Sequence, residues 1–277
     1  MTLISFIKDV TRPIRHFLTF GDRKKAIKNV HSYEELESRH ITYVIPNFDF
    51  KKKYKTVLYT CITGGYDQLI QPSFYNEDVK YICYTDNKEW IAKKQIGIWE
   101  IRDLVFNELS NALNNRWHKT HPHILFADYS ESIYIDGNID IKDGFLFDLI
   151  DSRKDKKLLI PKHFGSCDIY QEVRKCQRYG KITKQQANDV VNFLKEKNYP
   201  TKYGLNENNL IYRKHNDEKV IELMENWWVM IRDFVPRDQL SLSYLLFEKK
   251  INTESISIPN LRTLPEHFDL YFGGNHK

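Results

Sequence analysis

The 277-residue sequence predicts one large α/β domain on an open, mixed sheet flanked by helices, preceded by a short helical extension. Three observations point to this class. From Lys55 onward, short apolar runs rich in β-branched and aromatic residues alternate with longer stretches of helical periodicity. Two of the earliest runs end on glycines or acids, as strands do at the ligand-binding edge of such a sheet. Hydrophobic content of 41% and charged content of 29% are those of a globular chain long enough for one sizeable core.

The first element places Leu3, Ile7, Val10, Ile14 and Phe17 at helical spacing, with Lys8, Arg12 and Arg15 between them and Pro13 breaking the run. Residues 1–54 therefore read as a basic amphipathic extension and connector, and residues 55–277 as the main domain. The extension either packs on the domain or a partner subunit, or makes a peripheral contact with a membrane surface. Strands are expected at 56–62, 79–84, 132–135, 158–161 and 210–213, with another near Ile256. Helices are expected around 107–117, 144–150, 169–179, 184–197, 217–234 and 238–247, with Thr183 and Asn216 at cap positions.

Residues 1–55 carry 12 Lys and Arg against 6 Asp and Glu, while the rest of the chain is balanced at 30 against 31. A nucleic-acid binder spreads basic surface over its folded domain, so no nucleic-acid partner is expected. No apolar run approaches about 18 residues, and Met1 is not followed by a signal-peptide pattern, so a cytoplasmic protein is expected. Cys61, Cys83, Cys167 and Cys176 have no metal-ligand spacing and read as reduced, buried thiols.

Chemistry concentrates in a few runs. In YTCITGGYD, residues 59–67, an apolar strand meets Gly64 and Gly65, which suit either a tight turn or close approach of backbone to a nucleotide. YICYTD brings Asp86 to the same edge of a parallel sheet, to accept hydrogen bonds from a ribose or base, or to cap a turn. In SIYIDGNID the strand delivers Asp136. If the chain stays extended, Asp136, Asn138 and Asp140 share one side and could hold Mg²⁺ or Mn²⁺ on a diphosphate; the other reading is an Asp-Gly/Asn turn. Arg116 and Lys119 precede that strand and suit phosphate oxygens or a solvated helix end. Downstream, His163 and Glu172 follow a strand, and Arg237-Asp238-Gln239 opens a helix after Trp227 and Trp228. A carboxylate near an acceptor hydroxyl is a general-base candidate, and tryptophans serve as core or as sugar platforms.

Taken together, YTCITGGYD, YICYTD, Arg116 and Lys119 before HPHILF, IYIDGNI, the run from His163 to Glu172, YGLNENNLIYRKHN, the tryptophan pair and RDQLS resemble the glycosyltransferase-like family of domain of unknown function 616. The likeness covers residues 55 to about 247. It implies a GT-A-like fold with Asp136-Gly137-Asn138 in the place of the D-x-D motif, and Mn²⁺ or Mg²⁺ held by Asp136 and Asn138. Asn138 removes a charge from that site, so the ion is expected to bind weakly. The donor site would comprise Thr60, Gly64, Gly65, Tyr66, Asp67, Asp86, Arg116, Lys119, Asp136, Gly137, Asn138, Arg237 and Gln239. The catalytic carboxylate would be Asp238 ahead of Glu172, with His163 a further candidate. The expected activity is transfer of a sugar from a nucleotide sugar to a glycan or lipid-linked acceptor in surface-polysaccharide biosynthesis. The alternative is a non-catalytic glycan-binding or scaffold subunit.

Overall fold

The structure, a computed structural model, describes residues 28–38, 52–235 and 237–272. The amphipathic run from Leu3 to Phe17, and with it the expected membrane contact, lies outside those residues. In chain order the elements are β1 (Val30–Ser32), α1 (Tyr33–Ser38), β2 (Thr56–Ile62), β3 (Val79–Thr85), α2 (Lys88–Lys93), β4 (Gln95–Ile96), β5 (Trp99–Asp103), α3 (Asn111–Thr120), α4 (Pro122–Leu125), β6 (Glu131–Ile135) and β7 (Ile139–Ile141). There follow α5 (Phe145–Asp151), β8 (Leu158–Pro161), α6 (Ile169–Arg178), α7 (Lys184–Glu196), β9 (Leu210–Arg213), α8 (Glu218–Asp233), α9 (Asp238–Glu248), α10 (Thr253–Ile256), β10 (Ser257–Ile258), a 3-10 turn (Leu261–Thr263) and β11 (Phe268–Phe272).

The central sheet has the order β10-β8-β9-β6-β2-β3-β5-β4. Strands β6, β2, β3 and β5 run parallel, β9 is antiparallel to β6 and β8, and β4 is antiparallel to β5. Positions 57–62 of β2 are all buried, as a strand covered on both faces requires. Alternation sends Val57, Tyr59 and Cys61 into one core with residues of α6 to α9. Leu58 and Ile62 enter the other, against α5, β7 and β11. Helices thus cover one face of the sheet, and α5 with a small sheet of order β1-β11-β7 covers the other. This is the mixed α/β architecture expected, with a parallel-rich sheet flanked by helices. Because β2, β3 and β6 are parallel, Thr63, Asp86 and Asp136 emerge at one edge.

The long strands and helices fall where their periodicity places them. The α7 start is a capping box in which Thr183 and Gln186 bond each other's backbone. Two expectations are corrected. Asp217, not Asn216, caps α8, its carboxylate accepting from Lys219 N, while Asn216 Nδ2 donates to Ala127 O and Tyr129 O. Cys167 is exposed, whereas Cys61, Cys83 and Cys176 are buried; all four are free thiols. Residues 28–38, which belong to the expected extension, pack on the main domain, where β1 extends β11 in parallel, with Val30 opposite Leu270. Asn29 donates to Leu261 O and Phe268 O at 3.0 Å, and Tyr33 packs with Ile70 and Tyr271. A three-residue strand carries too little periodicity to be read from sequence.

Candidate active site

Helix α3 is fixed across the carboxyl ends of the parallel strands. Ser110 caps its start, Thr63 Oγ1 donates to Asn111 O at 2.8 Å, and Asn115 Nδ2 donates to Cys61 O at 2.5 Å. Tyr59 from β2 donates its hydroxyl to His118 O and Lys119 O. Arg116 and Lys119, three residues apart, share one helix face. Lys119 is 1% exposed; its Nζ lies 3.0 Å from Asp238 Oδ2, 3.5 Å from Asp136 Oδ1 and 4.7 Å from the Tyr134 ring centroid. Arg116 Nε stands 3.7 Å from Asp238 Oδ2. Asp238, 4% exposed, opens α9, which Trp227 locks by donating Nε1 to Asp238 O and Ser241 Oγ. Trp227 and Trp228 are therefore core residues, not sugar platforms.

This environment argues against Asp238 as the base. Burial alone would raise its carboxyl, but Arg116, Lys119 and Arg237 overcome that and hold it well below the ordinary carboxylate range. Such a group accepts a proton too weakly for base catalysis near neutrality. Its partner Arg116, despite burial, is held more firmly protonated by Asp238, Tyr134 and Asp136. Asp67 behaves oppositely: burial first, then the charge of Asp136, push it from an ordinary 3.8 up to about 6, against the opposing hydrogen bond from Tyr33. That bond runs from Tyr33 Oη to Asp67 Oδ1 at 3.1 Å.

A raised carboxyl has a sign opposite to the usual acidic group. Between about pH 4 and 6 the folded state holds more protons than the unfolded one, so the Asp67 contribution lowers stability as pH rises through that window. Asp67→Asn is expected to remove this slope and raise stability at about pH 7 by roughly 2–3 kcal/mol. Urea unfolding at about pH 4 and 7, in a metal chelator, measures it; a variant no more stable than its parent at the higher pH contradicts the assignment.

The other sequence-predicted residues divide into two groups. Near the cluster, both oxygens of Asp86 accept from Gly64 N at 3.0 and 2.8 Å, with Gly64 and Gly65 both at φ +63°. Tyr66 is 54% exposed and feels Asp67, Arg116, Arg237 and Asp136. Arg237 Nη2 donates to Gln239 Oε1 at 3.5 Å. Away from it, Thr60 is buried on the face of Leu58 and Ile62, against Gly137. A Cβ at Gly137 would stand 2.6 Å from Ile62 Cδ1, so glycine lets the turn close there. The segment is not extended: Ile139 N donates to Asp136 O, Asn138 Nδ2 bonds Tyr271 O at 2.9 Å, and Asp140 turns to Ser73. Asp136, Asn138 and Asp140 thus serve three different elements. His163 and Glu172 form a buried group with Lys175, at 3.5 and 3.4 Å from Glu172 Oε2; Cys176, whose Sγ stands 3.7 Å from Glu172 Oε1, links this group to Arg237, and burial lowers the His163 imidazole.

Among the described residues, no group of three or more His, Cys, Asp or Glu side chains could hold a metal ion, and no helix is long and apolar enough to cross a membrane. Two cavities of about 410 and 370 Å³ lie elsewhere, one beside Tyr203 and Phe247, the other beside His163 and Cys167. One functional residue missed from the sequence is Arg213, fully buried in β9. It donates to Lys119 O and Tyr59 Oη, both at 2.6 Å, fixing the turn that carries Lys119. A charge at a core position of an otherwise apolar strand was its signal.

The family described as TOD1/MUCI70, glycosyltransferase-like domain, matches residues 45–261. No curated protein matches the chain. Among solved structures, mouse xyloside xylosyltransferase 1 in its apo form is similar at 8% identity and a TM-score of 0.40, over 74% of this chain and 84% of that one. The glycosyltransferase GlyE of Streptococcus pneumoniae TIGR4 gives 11% and 0.42, over 74% and 45%. The WbbM bifunctional glycosyltransferase, apo, gives 10% and 0.44, over 86% and 49%. The chain spans about half the length of the latter two.

Proposed function

Because the chain belongs to the TOD1/MUCI70 glycosyltransferase-like domain family, we propose that it transfers a sugar from a nucleoside-diphosphate carrier to a glycan or lipid-linked acceptor, as in surface-polysaccharide assembly. The observation that supports this most is the convergence of Lys119, Arg116 and Arg237 on Asp136 and Asp238 at the carboxyl edge of the parallel strands. The Nε atoms of Arg116 and Arg237 are buried without a hydrogen-bond partner, so donors are left for an anion such as a diphosphate. Asp238 holds the cations in place rather than taking a proton.

The residues also fit a weakly held Mg²⁺ or Mn²⁺. Asn138 spends its Nδ2 on Tyr271 O, which leaves its Oδ1 as an acceptor two residues along the turn from the half-buried Asp136. One carboxylate plus diphosphate oxygens is an ordinary way to hold such an ion. When bound, the ion would stabilise charge on the departing diphosphate. Thermal-shift titration with UDP, GDP, CDP and their nucleotide sugars, with and without Mn²⁺, tests the proposal. At least one should raise Tm by several degrees at saturation; no shift with any of them favours the scaffold alternative.

A further inference from the structure

Two asparagines just before β9 stand apart from every other buried amide. Asn208 and Asn209 are 2% and 7% exposed, and Oδ1 and Nδ2 of both are buried without a hydrogen-bond partner. Their neighbours are committed: Asn206 Nδ2 bonds Ile160 O, Pro161 O and Ser257 Oγ, and Asn260 Nδ2 bonds Lys162 O and Glu207. Among the described residues, no other asparagine has both side-chain polar atoms buried and unpaired. Unmade hydrogen bonds at buried amides destabilise a fold, so four such atoms in one dipeptide need a reason beyond packing.

Their position supplies it. Strand β9 pairs antiparallel with β6, Leu210 facing Ile135, and the next step brings Asn209 O to Asp136 N at 2.8 Å. Both asparagines lie in the turn that opens β9, so this backbone bond sets the pair beside Asp136, the carboxylate that Lys119 meets at 3.5 Å. The chemistry of the amide then selects the ligand. Each offers one acceptor and two donor hydrogens. A phosphate only accepts and would leave both Oδ1 atoms unpaired, a cation would use only Oδ1, and an apolar group would satisfy neither. A hydroxyl donates and accepts, so a pair of adjacent hydroxyls satisfies both ends of one amide.

We propose that Asn208 and Asn209 are the sugar-reading residues of this site, their amides pairing with ring hydroxyls of the donor sugar while Arg116, Lys119 and Arg237 take its diphosphate. This rests on the function proposed above and assigns its neutral half. A site built to hydrogen-bond hydroxyls discriminates strongly once those partners are removed.

The test measures, by calorimetric titration, the affinities of UDP, GDP and CDP and of UDP-glucose, UDP-galactose, UDP-N-acetylglucosamine, GDP-mannose and CDP-glucose for the full chain. Asn208→Ala and Asn209→Ala follow. In each variant the nucleotide sugar that binds the parent best should lose about tenfold or more in affinity. The matching bare diphosphate should change by less than about twofold. The unliganded variants should also melt no lower than the parent, since each loses unpaired polar atoms. Equal losses for diphosphate and nucleotide sugar, unchanged nucleotide-sugar affinity, or a lowered Tm in both variants overturns the inference. So does a parent that binds diphosphates but no nucleotide sugar more tightly, whereas a parent that binds no member of the panel overturns the proposed function itself.

Discussion

Lys119→Met is expected to cost about 3–5 kcal/mol of stability, a fall in Tm of roughly 10 °C, and to abolish nucleoside-diphosphate binding. Methionine keeps most of the apolar stem and removes only the ammonium. That ammonium is the hydrogen-bonded partner of buried Asp238 at 3.0 Å and stands 3.5 Å from Asp136. Arg116 remains, but at 3.7 Å and without a hydrogen bond to Asp238, so it compensates the stranded carboxylate only in part. The loss should therefore depend on the charge of Asp238. Adding Asp238→Asn to Lys119→Met should recover most of the stability, because the buried anion is gone, and none of the binding, because the cation for the ligand is still missing. Urea unfolding and calorimetry on the four proteins of this cycle separate the two effects. A single Lys119→Met variant as stable as its parent would show that Asp238 does not rely on the ammonium.

The division between what the sequence discloses and what it hides follows the range of the interactions. Strands such as β2 and β9 are legible because burial on both faces demands an unbroken apolar run. The convergence of Gly64 and Asp86 on one edge is legible because parallel neighbours must end together. The second sheet is not, since β1, β7 and β11 are short and their partners lie far away along the chain. Side-chain roles are hidden for a related reason. Asp238 looks like a free acid at a helix start, and only the approach of α3, some 119 residues earlier, turns it into a buried counter-ion. Asp140 and Asn138 look like companions of Asp136, yet Ser73 and Tyr271 claim them. Asn208 and Asn209 read as turn formers, and nothing local tells that their amides stay unpaired.

Asp136→Ala is expected to lower donor turnover by about 10²–10³-fold while leaving Tm within a few degrees of the parent. The fold is insensitive because Asp136 is half-buried and its structural bond is made by the backbone, with N donating to Asn209 O at 2.8 Å; alanine preserves that bond. Lys119 likewise keeps its closer partner, Asp238. Asp136 is the half-buried carboxylate that the cationic cluster meets at the strand ends, where the proposed function has charge develop as the sugar leaves its diphosphate. Asn138→Ala should do less, about tenfold, because a neutral amide oxygen contributes less than a carboxylate. Hydrolysis of the donor reads this step without the acceptor, since water takes the sugar and the same sugar–diphosphate bond breaks. Near-parental hydrolysis by Asp136→Ala at saturating donor would remove Asp136 from the reacting centre. Equal losses in the Asp136 and Asn138 variants would instead assign both effects to the closed turn that Gly137 permits against Ile62, rather than to charge at Asp136.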